Sequence, residues 1–505
     1  MPNKPVVMIA ALLVLCAEAA QAGALADAAA SGDLATVRSL LRTHPDPNEL
    51  NRDGTPALHW VVRMQDPDTA QLLLKAGANP DLPNRYGVRP LHLAIANDDL
   101  AMVQLLLKAG ADANSADTAG DSCLVMAVRG GRIEVVKALL ARGAKPDAAD
   151  ARFRQTPLMV AAREGHADIV RLLLAQGAQV DAQTLAGKAP AFRTPASNAG
   201  SKGTGIVRGG WPERGERDPI PGAKTALLYA AREGKLEVVR TLVEAGAQLE
   251  KADADGVTPL LMAVLNGQVP VANFLLERGA NVKAVDWYGQ TPLFAAVDLR
   301  NLDVAGPTRD NEVDRAAVLQ LVQAILAHSP DVNARTRESL PQRRWITRLG
   351  SLSWVDFTGQ TAFLRAALAG DVTVMRLLLQ HGADANIATF NGTTPLMAAA
   401  GVNWTVSQTF DEGPAALLEA VRLALAQGND VNAQNTMGLR AVHGAANRGS
   451  DDIIRFLVEK GAAIDTPDRE GRTPAVWAQG VFLATHPPQV KPGTVELLKQ
   501  LQAAR

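Results

Sequence analysis

Aromatic residues make up only 4% of this chain of 505 residues, and cysteine occurs twice. So few large rings fit close packing of small-sided helices better than a β-sandwich core, which draws on aromatic and β-branched side chains. Two cysteines cannot staple a disulfide framework, so stability has to come from apolar packing. Charge of one sign is also missing, with 51 Lys and Arg against 52 Asp and Glu giving a formal net charge of -1. No broad basic field is therefore available of the kind that dominates nucleic-acid affinity, and nucleic acid is not an expected partner. Beyond the N-terminus no apolar run is long enough to span a bilayer. Hydrophobic residues at 47% and charged residues at 20% are near the averages of soluble globular chains.

The chain is rich instead in one repeated pattern. Gly54, Gly87 and Gly120 lie 33 residues apart, as do Gly77, Gly110 and Gly143. A fixed period of this size indicates stacked supersecondary units and overrides a count of domains by length. Within residues 87–119, Leu91, Ala94 and Ile95 share one face of a short first helix, and Val103, Leu106 and Leu107 share one face of a second. Thr before Pro offers an N-cap oxygen, and Pro at the first helical position loses no hydrogen bond. Gly110 is placed to close the second helix in the left-handed conformation.

The Thr-Pro-Leu starts (Thr156-Pro157-Leu158, Thr258-Pro259-Leu260, Thr291-Pro292-Leu293, Thr394-Pro395-Leu396), the Leu-Leu-Leu run and the following Gly-Ala resemble the ankyrin-repeat family. The resemblance implies an all-α fold, an ankyrin-repeat α-solenoid of about twelve helix-turn-helix repeats joined by hairpin-like turns. It also implies a protein-interaction scaffold without catalysis or cofactor, working through a concave surface of turns and first helices.

Read in order, residues 1–22 form a secretory signal, with Lys4, an apolar run from Val6 to Cys16 and cleavage expected after Ala22. The mature chain is then secreted or periplasmic, without a membrane span, and a monomer. Lipidation at Cys16, giving an envelope-anchored structural protein, is the rival. Residues 23–53 read as an N-terminal capping repeat, 54–186 as repeats, 187–223 as an insertion and 224–334 as repeats holding an insertion at 300–314. Residues 335–357 are a further insertion, 358–471 repeats with an insertion at 401–414, and 472–505 a C-terminal capping repeat with a loop at 485–493. Those at 187–223 and 335–357 fall between repeats. The others fall between the two helices of alternate repeats.

Candidate chemistry is thin. His59, His92 and His443 sit where the family pattern puts a histidine that ties neighbouring turns. The series Asp81, Asn114, Asp147, Asp181, Asn386, Asn432 and Asp465 recurs with the repeat and is expected to initiate turns. Ser122 falls in register with capping threonines, Cys123 reads as an inert packing residue, and no metal-ligand spacing occurs. Trp and Arg are the residues that most often dominate binding energy at interfaces. Here Trp211, Arg214 and Arg217 fall in one insertion, Arg343, Arg344, Trp345 and Trp354 in another, and Trp404 in a third. Together with Trp287 and Tyr288 they are the expected partner-binding residues. Each insertion Trp could equally anchor its own loop against the helices, and an enzyme site assembled by the insertions is the alternative function.

Overall fold

The computed structural model describes residues 23–186, 222–302, 313–337, 358–404, 409–481 and 489–504. Among them are 24 α-helices, which pair in sequence into twelve helix-turn-helix units. No strand is present among the described residues, only the isolated bridges Leu50–Pro56 and Ala116–Ser122. No helix there is long and apolar enough to cross a membrane.

Local chemistry accounts for each unit. The Oγ1 atoms of Thr156, Thr291 and Thr394 accept from the backbone N–H of Met159, Phe294 and Met397, and the first helix starts at the Pro that follows. Ser122 caps the same way through Val125 N. The copy at 54 differs, since its Thr55-Pro56 follows Gly54 directly, whereas Thr291 is separated from Gly289 by Gln290. Shifted by one residue, Thr55 lies outside the cap position, and the helix begins at Ala57 with Pro56 at the N-cap and no side-chain cap bond. Several second helices open on aspartates, as Asp66, Asp99 and Asp371 accept from the N–H three residues on. A carboxylate there also favours the positive end of the helix dipole. Gly110 has φ 99, the left-handed stop expected of it.

The predicted apolar faces are the core. Leu91, Ala94, Ile95, Val103 and Leu106 are all 0% exposed, and Leu58, Leu124 and Leu158 fill the equivalent place in neighbouring units. A unit of two short helices buries such faces only against its neighbours, so each repeat depends on those beside it. Regular second helices run nine residues, as in Pro67–Lys75 and Leu100–Lys108. Those preceded by an insertion within the repeat are longer, with 13 residues in Arg315–Ala327 and Pro414–Ala426 and 12 in Pro492–Ala503. Each insertion therefore adds about a helical turn at the start of the helix it precedes.

By internal packing the described residues fall into two units, the first within 23–185, 224–230 and 237–247, and the second within 186, 222–223, 231–236 and 248–504.

Candidate interaction site

The turns between repeats form a regular edge. Each opens on a polar side chain whose oxygen accepts from the backbone two and four residues on: Asn84 from Tyr86 N and Val88 N, Asp117 from Ala119 N and Asp121 N, Asn435 from Met437 N and Leu439 N. Successive tips are joined by backbone bonds, Arg85 N to Gly54 O in the first unit and Trp287 N to Asp255 O in the second. The Asp and Asn series read from the sequence as turn initiators lies three residues earlier and does something else. Asn114 accepts from Lys145 N at 2.9 Å and donates to Gly143 O at 3.0 Å, and Asn432 does the same to Ala463 N and Gly461 O. These side chains reach the next repeat, tying it to its neighbour across the turn. The initiators are Asn84, Asp117 and their equivalents.

His59 Nε2 lies 2.8 Å from Val88 O in the following repeat, and His92 Nε2 lies 3.2 Å from Ser115 Oγ. Burial lowers the pKa of both and pushes that of His443 down to about 4, so all three are neutral near pH 7. Burial also pushes the Cys123 thiol up to about 11, far from a reactive thiolate. No group of three or more metal-ligating side chains occurs among the described residues.

Two positions on the first helix decide what each repeat shows beside this edge. In the first unit one position carries Trp60, Leu93 and Met126, all half-buried, and Val160, which is buried, and the position three residues on carries Arg63, Ala96, Arg129 and Arg163. Equivalent positions of stacked repeats face the same side. The row adjoins the turns, because Arg129 Nη1 reaches Asp121 Oδ2, the residue after tip glycine Gly120, at 2.6 Å. On the tips stand Tyr86 at 59% exposure and Phe153 at 47%. Arg85 and Arg152 stack on those rings at 4.7 and 4.8 Å.

In the second unit the same two positions are closed over. Asp298 and Arg365 occupy them in adjacent repeats and form a buried pair at 2.8 Å, and Arg365 Nη2 also donates to Asn301 O. Beside it Arg300 and Asp371 pair at 2.8 Å. Trp404, from the insertion at 401–414, packs inward on Leu364, Leu368 and Ala398. The Arg448 guanidinium lies 4.8 Å from its ring, and burial lowers the Arg448 pKa to about 10. Gly444 is what lets this segment approach, for a Cβ there would stand 2.4 Å from Val402 N.

Of the residues singled out in the sequence, Trp211, Arg214, Arg217, Arg343, Arg344, Trp345 and Trp354 lie outside the described residues. Trp287 and Tyr288 stand half-buried on a turn tip, their rings edge to face at 4.9 Å. The carboxyl that opens their turn, Asp286, is 2% exposed, and burial pushes its pKa up to about 7 against the opposing bonds from Gln290. The first-helix row of Trp60, Arg63, Leu93 and Met126 was not singled out by sequence reading. Its members are equivalent in the 33-residue register of Gly54, Gly87 and Gly120, but their side chains differ in chemistry, so only their exposure marks the row.

A family model described as ankyrin repeats (3 copies) matches residues 25–117, 102–184, 211–286, 227–306, 316–406 and 415–480. Over 123 residues, 24% of this chain, the sequence is 33% identical to ankyrin repeat domain-containing protein 63 of Homo sapiens, covering 30% of that protein. It is 34% identical over 123 residues to E3 ubiquitin-protein ligase KEG of Arabidopsis thaliana, which is 23% of this chain and 7% of that one. The chain thus spans under a third of the length of these curated relatives. Among solved structures, the ankyrin repeat domain of Bcl-3 is similar at TM-score 0.38 and 28% identity, covering 47% of this chain and 92% of that one. The human ASB11 ankyrin repeat domain is similar at TM-score 0.37 and 23% identity, covering 52% and 96%. Built of capped helix pairs in a fixed register and matched by that family model over most of its length, the chain belongs to the ankyrin-repeat family.

Proposed function

We propose that the protein is a non-catalytic scaffold that holds a protein partner on the turn edge and first-helix row of its first unit. The observation that carries this reading is the open row itself, with Trp60, Leu93 and Met126 half-exposed beside exposed Arg63 and Arg129. Tryptophan and arginine ringed by apolar surface are the commonest anchors of protein interfaces. The insertions at 187–223 and 335–357 add selectivity through Trp211, Trp345 and Trp354. The scaffold works outside the cytoplasm after loss of residues 1–22, a reading supported by Lys4, the apolar run to Cys16 and Ala20-Gln21-Ala22.

Affinity capture from the exported fraction tests this, comparing the full chain with Trp60→Ala, Arg63→Ala, Trp345→Ala and Trp354→Ala. Loss of the same partner with Trp60→Ala and Arg63→Ala is expected, and with the insertion variants a weaker hold. Undiminished recovery by all four would remove the reading. Mass measurement of the mature N-terminus should give an unmodified chain starting at Gly23; a diacylglyceryl Cys16 would replace export as a free protein with anchoring.

A further inference from the structure

The first unit holds both paired and unpaired arginines. On the second helices Arg38 pairs with Asp66 at 2.7 Å, and in the loop that opens a second helix Arg132 pairs with Asp98 at 3.2 Å. Along the first-helix row and the tips Arg129 pairs with Asp121 and Arg163 with Glu164, whereas Arg52, Arg63, Arg85, Arg152 and Arg154 make no ion pair among the described residues. All five are exposed. Three of them lie over rings, Arg63 over Trp60 at 5.9 Å, Arg85 over Tyr86 and Arg152 over Phe153. A guanidinium stacked on a ring presents its remaining N–H donors outward at little further entropy cost, a preset donor site for carboxylates, although Arg85 Nη2 already donates to the Tyr86 hydroxyl.

Between these cations runs the apolar row of Trp60, Leu93 and Met126, and the Trp60 Nε1 donor is buried without an acceptor. Packed helices lie about 8–10 Å apart, and an extended chain advances about 3.3 Å per residue. About three residues of an extended segment therefore span one repeat, enough to offer each repeat one apolar and one acidic side chain.

We propose that this strip, Trp60, Leu93 and Met126 edged by Arg63, Arg85 and Arg152, binds an extended segment of the partner polypeptide that carries Asp or Glu among apolar side chains. The proposal rests on the scaffold reading above and narrows it to one partner chemistry.

A random peptide display library selected against the full chain tests it. The expected result is enrichment of peptides with a clear excess of Asp and Glu over Lys and Arg. By fluorescence anisotropy these should bind Arg63→Ala and Arg85→Ala about five- to tenfold more weakly each, as truncated arginine anchors do, and Lys108→Ala unchanged. Enrichment of neutral or basic peptides, no enrichment, or equal affinity for the arginine variants would overturn it. So would displacement of the selected peptide by a single-stranded oligonucleotide or by anionic vesicles at lower concentration than by the free peptide. None of these results decides partner capture, so the scaffold reading stands or falls separately.

Discussion

Replacing Asp286 by Asn should stabilise the second unit at neutral and alkaline pH. Asp286 is 2% exposed and opens the turn that carries Trp287 and Tyr288. Its Oδ1 accepts from Gln290 N at 2.7 Å and its Oδ2 from Gln290 Nε2 at 2.9 Å, but no cation among the described residues is paired with it. Burial is the largest influence on it, and Asp255 raises it further, so its pKa stands at about 7 against an ordinary 3.8. A carboxyl raised in the folded state binds its proton more tightly there than in the unfolded chain. The folded state is therefore fully favoured below the unfolded value and loses stability as pH rises from about 4 through about 7. Three units at about 1.36 kcal/mol each set a ceiling of about 4 kcal/mol on the cost of ionising it. Asparagine holds the same place in the turns at Asn51, Asn84 and Asn435, so the turn geometry accepts the change. The Gln290 amide can turn over to accept from the new NH2. Buried His59, His92 and His443 act with the opposite slope, destabilising the fold as pH falls below about 6.5, so the wild-type profile mixes both signs. The difference between variant and wild type isolates the carboxyl. Melting or denaturant midpoints taken from pH 5 to pH 8 should separate steadily in favour of Asp286→Asn. Parallel profiles, or a variant less stable at pH 8, would refute the reasoning.

Asn114→Ala removes the two bonds to the following repeat and should cost about 1–2 kcal/mol, seen as faster hydrogen exchange at the Lys145 amide. Asp298→Ala strands the Arg365 guanidinium in a buried setting and should cost about 3–5 kcal/mol, read in denaturant unfolding of the second unit. Cys123 should resist a thiol reagent such as dithionitrobenzoate in the native chain at pH 8 and react at the rate of unfolding, since it is 0% exposed with its pKa pushed up to about 11. Arg154 takes, at φ 56, the place of a turn glycine, so Arg154→Gly should raise stability by about 1 kcal/mol in thermal melts.

Most of the fold was legible because the features that build it are local and repeated. Gly110, Ser122 and Thr291 act at the ends of their own helices, so a period of 33 and a capping residue suffice to place them. What failed were judgements about longer reach. Asn114 looks like a turn former because Asn usually is one, yet its partners, Gly143 O and Lys145 N, lie 29 and 31 residues away. Thr55-Pro56 looks like every other helix start, but the missing residue after Gly54 moves it out of register, and only the backbone shows which of the two marks the helix obeys. Trp404 could be read from sequence either as an exposed anchor or as a self-anchor, because a lone ring in a loop is compatible with both. Its surroundings of Leu364, Leu368 and Ala398 come from two other helices.

The contrast between the units follows from two side-chain positions. Where they carry Trp60 with Arg63, or Met126 with Arg129, the first helix ends in bulk and charge too large for a neighbouring backbone to lie over. Where they carry Ala398 with Gly401, or Gly444, the helix surface is smooth enough for a segment to approach closely, and Trp404 and Val402 do so. Closing that surface requires the charges left beneath it to be matched, and Asp298 with Arg365 and Arg300 with Asp371 supply the pairs. Those pairs would be hard to explain on an open surface, where exposed ion pairs add little. Buried, they are required, since either partner alone would be an uncompensated charge. The same two positions therefore specify, repeat by repeat, which part of the face is kept for another molecule and which part the chain covers itself.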